Sequence, residues 1–238
     1  MIRALVPDSV NPFGITLLVF AGVLLPTLIV RSSRRIGSGP LPIPRVRFFK
    51  QTIIFQIVLA AIAVLIAWTN GILAMPLPQR PLISWSLAAL MYVLMLLLLK
   101  LRWPGRCAAS KQRLFDILPH NGSEFVWYVF VCVVAGIAEE IIYRGVMTEL
   151  LQSLIRVTVV TTVLVSISFA AAHATQGLRS MISIFAIALG CHGLVWIAQS
   201  LVPIMVVHFA YDLTAGMLIP RWFKTNSIHH RDTESTDV

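Results

Sequence analysis

Charge is what this chain of 238 residues has least of. Asp, Glu, Lys and Arg make up 12% of it, against 58% hydrophobic residues. A soluble domain carries about 25% charge, so that shortage and a mean hydropathy of +0.84 exclude a soluble enzyme with one anchor. Acids are scarcer still, 10 against 19 basic residues. Cysteine is limited to Cys107, Cys132 and Cys191, with no CxxC pair, which excludes a disulfide scaffold. Cys132 and Cys191 lie in apolar segments and read as core residues. There is no convincing internal repeat, and no stretch has the length and polarity of a separate soluble domain.

What remains is a series of apolar runs near the roughly 20 residues that cross a bilayer. Seven spans are predicted, at about 11–30, 52–75, 82–99, 124–151, 157–174, 178–199 and 201–219. The first is too long for a cleavable signal and has no small-residue cleavage site. The fold class is therefore an all-α polytopic transmembrane bundle with an intramembrane polar cavity. The net charge of +9 does not point to nucleic acid, because the basic residues flank the apolar runs. Arg31, Arg34, Arg35, Arg45, Arg47 and Lys50 follow the first span; Lys100, Arg102, Arg106, Lys111 and Arg113 follow the third. The positive-inside rule makes both segments cytoplasmic. With seven spans the N-terminus lies outside and the tail bearing Arg221, Lys224 and Arg231 inside. Three regions follow: 1–123 with three spans and basic loops, 124–219 as the chemical core, and 220–238 as a polar tail.

Against this background, Glu139, Glu140 and Arg144 stand inside the fourth span. A charged residue at the centre of a membrane helix costs about 2.5–3.5 kcal/mol on insertion scales, and such residues mark function. Residues four apart share a helical face while neighbours diverge by about 100°. Glu140 and Arg144 therefore pair, and Glu139 turns toward Tyr143 and whatever lies across the bundle. A lone Glu–Arg pair is as readily structural as functional; a second carboxylate with no cation in its own helix is harder to explain that way. Burial beside a like charge suits a carboxylate to act as a base. In the fifth span, Phe169 and His173 share a face, with three alanines between them that admit a neighbouring helix. In the seventh, His208 and Asp212 have the same spacing. Each His alone is more often a packing residue, and each His–Asp pair an interhelical contact. Two Glu, an Arg, two His and an Asp converging on three apolar helices weaken those readings together. His192 fits no pattern and reads as a core histidine, and His229 and His230 as solvated tail residues.

The ordered set Glu139-Glu140-x-x-Tyr143-Arg144-Gly145, Phe169-x-x-x-His173 and His208-x-x-x-Asp212 resembles the CAAX protease and bacteriocin-processing (CPBP, or Abi) family of intramembrane proteases. That family includes the eukaryotic type II CAAX prenyl endopeptidase. The resemblance covers about 124–219 and implies a hydrolase that cuts a peptide bond with a Glu-activated water. It makes Glu139 the base, and has Glu140 and Arg144 shape the site. It has His173 hold the water and His208 serve the carbonyl or oxyanion, with Tyr143 and Phe169 in support. Asp212 stands where the CAAX endopeptidases have Asn. An amide can donate to an oxyanion and an ionised carboxylate cannot, so Asp212 must orient His208, be protonated or help bind a metal. Glu139, His173 and His208 are also a donor set for a hydrolytic zinc with an open position, although His-Glu-x-x-His is absent.

Other protease classes fit less well. An aspartyl dyad needs two carboxylates and the spans hold one Asp; a rhomboid-like serine site needs a Gly-x-Ser-x-Gly loop, which is missing. The alternatives of another class are a proton-coupled transporter using the same charges as a relay, and a non-catalytic immunity or scaffold protein. Expected partners are membrane lipids and a peptide or membrane-protein substrate, lipid-modified in the CAAX-like case. The short loops and compact chain suggest a prokaryotic inner membrane. One conflict remains in the span assignment. At 1.5 Å per residue Glu139 and His208 come out roughly 20 Å deep, whereas His173 falls at the inner end of its span.

Overall fold

The computed structural model describes residues 10–35, 43–72 and 77–234, with the backbone alone at 33–35 and 224–234. The end of the predicted second span at 75 and residues 235–238 of the tail lie outside the described residues. So do the side chains of Arg34, Arg35, Lys224, His229, His230 and Arg231.

Every regular element among the described residues is helical: α1 (Pro12–Val19), α2 (Leu25–Arg35), α3 (Arg45–Thr69), α4 (Pro81–Arg102), α5 (Ala108–Ile117), α6 (Gly122–Glu139), α7 (Thr148–Ile155), α8 (Thr158–Ala172), α9 (Leu178–Ala198) and α10 (Val202–Glu234). A π turn over Phe20–Leu24 joins α1 to α2, and a longer one over Glu140–Met147 joins α6 to α7. Start signals are local. Asn11 and Asn121 cap α1 and α6 by accepting from Gly14 N and Glu124 N, each at 2.9 Å. Pro12 and Pro81 occupy first-turn positions, where the missing N–H is no loss.

Six of these runs are long and apolar enough to cross a membrane: Pro12–Ser32, Arg45–Thr69, Pro81–Arg102, Gly122–Ile155, Leu178–Ala198 and Val202–Phe223. Large side chains point outward on them, among them Trp68 at 75% and Leu82 at 84% exposed, as lipid-facing residues do. The chain is an integral multi-pass membrane protein. The predicted span 157–174 is the difference: α8 has 15 residues, about 22 Å, against a hydrocarbon core of about 30 Å. Hydropathy gives this segment the same signature as its neighbours, so only its length in three dimensions sets it apart. The helix stops at Ala172 and leaves His173 at its C-terminal end, which removes the conflict in depth.

The register of the core helices follows from their contacts. Arg45 at the start of α3 lies 3.9 Å from Glu124 at the start of α6 and donates to the carbonyl of Asp116 at 2.9 Å. Farther along, Gln56 meets Glu139, so α3 and α6 run parallel from the end that carries the basic segments. α10 runs antiparallel to α6. A β-carbon at Gly136 would stand 3.0 Å from the backbone N of Phe209 and 3.1 Å from the carbonyl of Met205. Gly136 is thus a point where the two backbones approach closely, three residues before Glu139. α10 continues past Pro220 to Glu234, so the predicted polar tail is helical through that point. An apolar groove of about 700 Å³ lies between α1, α2, α7 and α8, lined by Leu18, Gly22, Met147 and Ala171 among others; none of the predicted site residues lines it.

Candidate active site

Glu139 ends the α-helical part of α6, and the π turn starts at the next residue. A π turn widens the helix by one residue per turn and recurs at functional sites. Here it buries Glu140, Tyr143, Arg144 and Met147 within one stretch. Arg144 and Glu140, each with side chains 1% exposed, are joined by a hydrogen bond of 3.1 Å. The pairing predicted from helical spacing is present, although the backbone between the two residues is not α-helical.

Glu140 has a second partner that spacing did not suggest. Its Oε1 lies 2.8 Å from Nδ1 of His208. A carboxylate only accepts, so Nδ1 carries the proton and Nε2 points away from Glu140. That Nε2 lies 3.9 Å from Oε2 of Glu139 and 3.5 Å from Oδ2 of Asp212. His173 is oriented in the same fashion. Its Nδ1 lies 2.8 Å from the carbonyl oxygen of Phe169, one turn back on α8, and can only donate there. Its Nε2 faces Glu139 Oε2 at 3.8 Å. Both imidazoles thus present Nε2 to one oxygen of Glu139. That oxygen is buried and has no hydrogen-bond partner in the protein.

The other Glu139 oxygen, Oε1, accepts from Nε2 of Gln56 at 2.8 Å. Gln56 belongs to α3, in the region that sequence reasoning read only as apolar. The signal was there: Gln56 is an amide within an apolar span, a kind of residue with a functional prior in membranes. Phe169 forms the wall. Its ring lies 4.7 Å from that of His173, 5.0 Å edge-on from Tyr143, and 4.0 Å from the Arg144 guanidinium carbon. Asp212 is the most open member, its side chain 32% exposed; its backbone carbonyl accepts from the Tyr128 hydroxyl at 2.9 Å. His192, set apart in the sequence, is buried on α9 within electrostatic reach of Glu140 and Arg144, and its Nε2 has no partner.

Eight predicted residues therefore come together: Glu139, Glu140, Tyr143, Arg144, Phe169, His173, His208 and Asp212. Residues 121–214, which contain all eight, match the family model described as type II CAAX prenyl endopeptidase Rce1-like. Over those residues the helical core is similar to the CAAX protease family. Compared with curated proteins and with solved structures, the chain gives no match. The CAAX-protease match begins at the cap of α6 and ends in mid α10, leaving α1 to α5 outside it.

The donor set was tested against zinc. Tetrahedral zinc with bonds near 2.0 Å sets its ligand atoms about 3.3 Å apart. Glu139 Oε2 is 3.8 and 3.9 Å from the two Nε2 atoms. Among the described residues no group of three His, Cys, Asp or Glu is disposed to hold a metal ion. This arrangement does not fit a zinc site.

Proposed function

We propose that the protein is an intramembrane endopeptidase of the CAAX type in which Glu139 activates the attacking water. The observation that carries this reading is the buried, unpartnered Oε2 of Glu139, facing two imidazole Nε2 atoms at 3.8 and 3.9 Å. These separations are too long for direct hydrogen bonds and suit a single bridging water. A water there donates one proton toward Oε2 and the other to one Nε2, leaving an oxygen lone pair for the scissile carbonyl. Glu139 takes the proton as the C–O bond forms, and returns it to the leaving amine.

His173, tied through Nδ1 to the Phe169 carbonyl, is the water-positioning residue. His208 can donate from both nitrogens once protonated: Nδ1 to Glu140 and Nε2 toward the oxyanion. Asp212, 3.5 Å from that Nε2, would then stabilise the imidazolium between carboxylates. That is a role for a carboxylate where an amide would donate directly. The proposed substrate is a peptide or membrane protein carrying a lipid-modified cysteine near its C-terminus, reached from the bilayer.

The test uses purified protein in proteoliposomes and an internally quenched peptide ending in farnesylated Cys-aliphatic-aliphatic-X. Wild type is expected to release the C-terminal tripeptide. Glu139→Ala and His173→Ala are each expected to lower the rate at least about a thousandfold while remaining folded and inserted. Cleavage that survives Glu139→Ala refutes the assignment of the base.

A further inference from the structure

We infer that Gln56, outside the family-matched segment, is a positioning residue for the base: it holds Glu139 so that Oε2, and not Oε1, is the oxygen offered to the water. This inference rests on the protease reading above.

A glutamate carboxylate turns about its last side-chain bond in a broad, two-fold well. Left free, it would exchange its two oxygens at the water site and aim neither. The Gln56 amide ends that freedom with a bond of 2.8 Å to Oε1. The amide's orientation is settled by chemistry, because a carboxylate accepts and only the NH₂ end of Gln can donate. The bond also assigns the proton. With Oε1 engaged, the proton taken from water goes to Oε2, the oxygen that both histidines face.

The rest of the Gln56 side chain supports a dedicated role. Its own Oε1 is buried and has no hydrogen-bond partner. Burying an amide half-satisfied is unfavourable, and a residue present only to pack α3 against α6 would be apolar, as Leu59 and Ala63 are on the same helix. The bond to Glu139 is what the amide gains. Position matters as well. α3 and α6 run parallel and stay in contact from Arg45 and Glu124 up to this point, so Gln56 is presented by a helix held at its far end. An α3 span that lies outside the family match thereby completes the catalytic centre.

The experiment compares Gln56→Met, which keeps the length and removes the donor, and Gln56→Glu, which sets acceptor against acceptor. Leu59→Ala, a packing change on the same helix, serves as control. All are assayed in proteoliposomes on the farnesylated peptide, with kcat and KM determined separately and normalised to folded protein. Loss of a donor to a charged, preorganised group is expected to lower kcat by about ten- to a hundredfold for Gln56→Met, and further for Gln56→Glu, with KM within about twofold. Leu59→Ala is expected to lower thermal stability and leave kcat per folded molecule near wild type. A Gln56→Met enzyme with wild-type kcat overturns the proposal and leaves the protease reading standing. So does a kcat loss that only parallels lost folded protein, as in Leu59→Ala. A wild-type protein that does not cleave the peptide removes the protease reading, and this inference with it; the wild-type measurement alone reveals that case.

Discussion

Replacing Arg144 by methionine asks how the buried charge of Glu140 is tolerated in a membrane. Both side chains are 1% exposed and meet at 3.1 Å, so neither reaches water. Removing one partner of such a pair typically costs about 3–5 kcal/mol, since the other charge is left uncompensated. Two features locate the value in this range. Glu140 would keep the His208 Nδ1 bond at 2.8 Å, which lowers the cost. Arg144 would lose its place over the Phe169 ring at 4.0 Å, a desolvated cation–π contact of about 2 kcal/mol, which raises it. A loss of about 4 kcal/mol is expected, read from equilibrium unfolding in mixed micelles by the fluorescence of the six tryptophans. The companion Glu140→Gln/Arg144→Met removes the orphaned charge while leaving a carbonyl oxygen for His208, and is expected to recover at least half of that loss. The reasoning is refuted if Arg144→Met lies within about 1 kcal/mol of wild type, or if the double variant is no more stable than the single.

Four more outcomes are expected. Gly136→Ala sets a methyl 3.0 Å from Phe209 N and 3.1 Å from Met205 O, backbone that has no side-chain torsion to relieve the contact and must shift as a helix. It should push α10 off α6 and lower kcat about tenfold or more by separating Glu139 from His208. Gly193→Ala, where a β-carbon meets nothing within 4 Å, should not change kcat. Asp212→Asn, at a side chain 32% exposed, should hold activity within about tenfold, because direct donation by the amide to the oxyanion replaces the carboxylate's support of the His208 imidazolium; a larger drop would show that the amide cannot substitute. Prolonged chelation should leave the peptide cleavage rate unchanged, and a loss restored by zinc would move the water from Glu139 to a metal.

Much of the site was legible because its chemistry is written in helical spacing. Glu140–Arg144, Phe169–His173 and His208–Asp212 are each four apart, and each pair sits together in the fold. The i+4 rule survives even across the π turn, because adding one residue per turn still leaves position 144 on the Glu140 side. Contacts between helices were not legible in that way. The Glu140–His208 bond spans 68 residues and the Gln56–Glu139 bond 83, and a period of 3.6 carries no information at such separations. The short length of α8 was not legible for a related reason: hydropathy measures how apolar a run is, and α8 is apolar throughout. What stops it at Ala172 is the backbone leaving the helix at His173, followed by a short turn over Ala174–Gln176 and Gly177 at φ 90°.

In the cluster, open valences sit beside orienting bonds that are made. Glu139 Oε2, Glu140 Oε2, Arg144 Nε, His192 Nε2 and Gln56 Oε1 are all buried without a partner in the protein. A polar network selected to hold helices together would close those valences, because each open one costs about 1–3 kcal/mol in a low-dielectric interior. Glu139 Oε2 faces the water position, and Gln56 supports it from behind. Glu140, Arg144 and His192 lie within electrostatic reach of one another beside His208. The orienting bonds, by contrast, are all made: Gln56 to Glu139, Glu140 to His208, and the Phe169 carbonyl to His173. Under the proposed function, a site that fixes its reactive groups and aims their free atoms at one point suits a water and a carbonyl, and a proton relay would need those same atoms linked in a continuous chain.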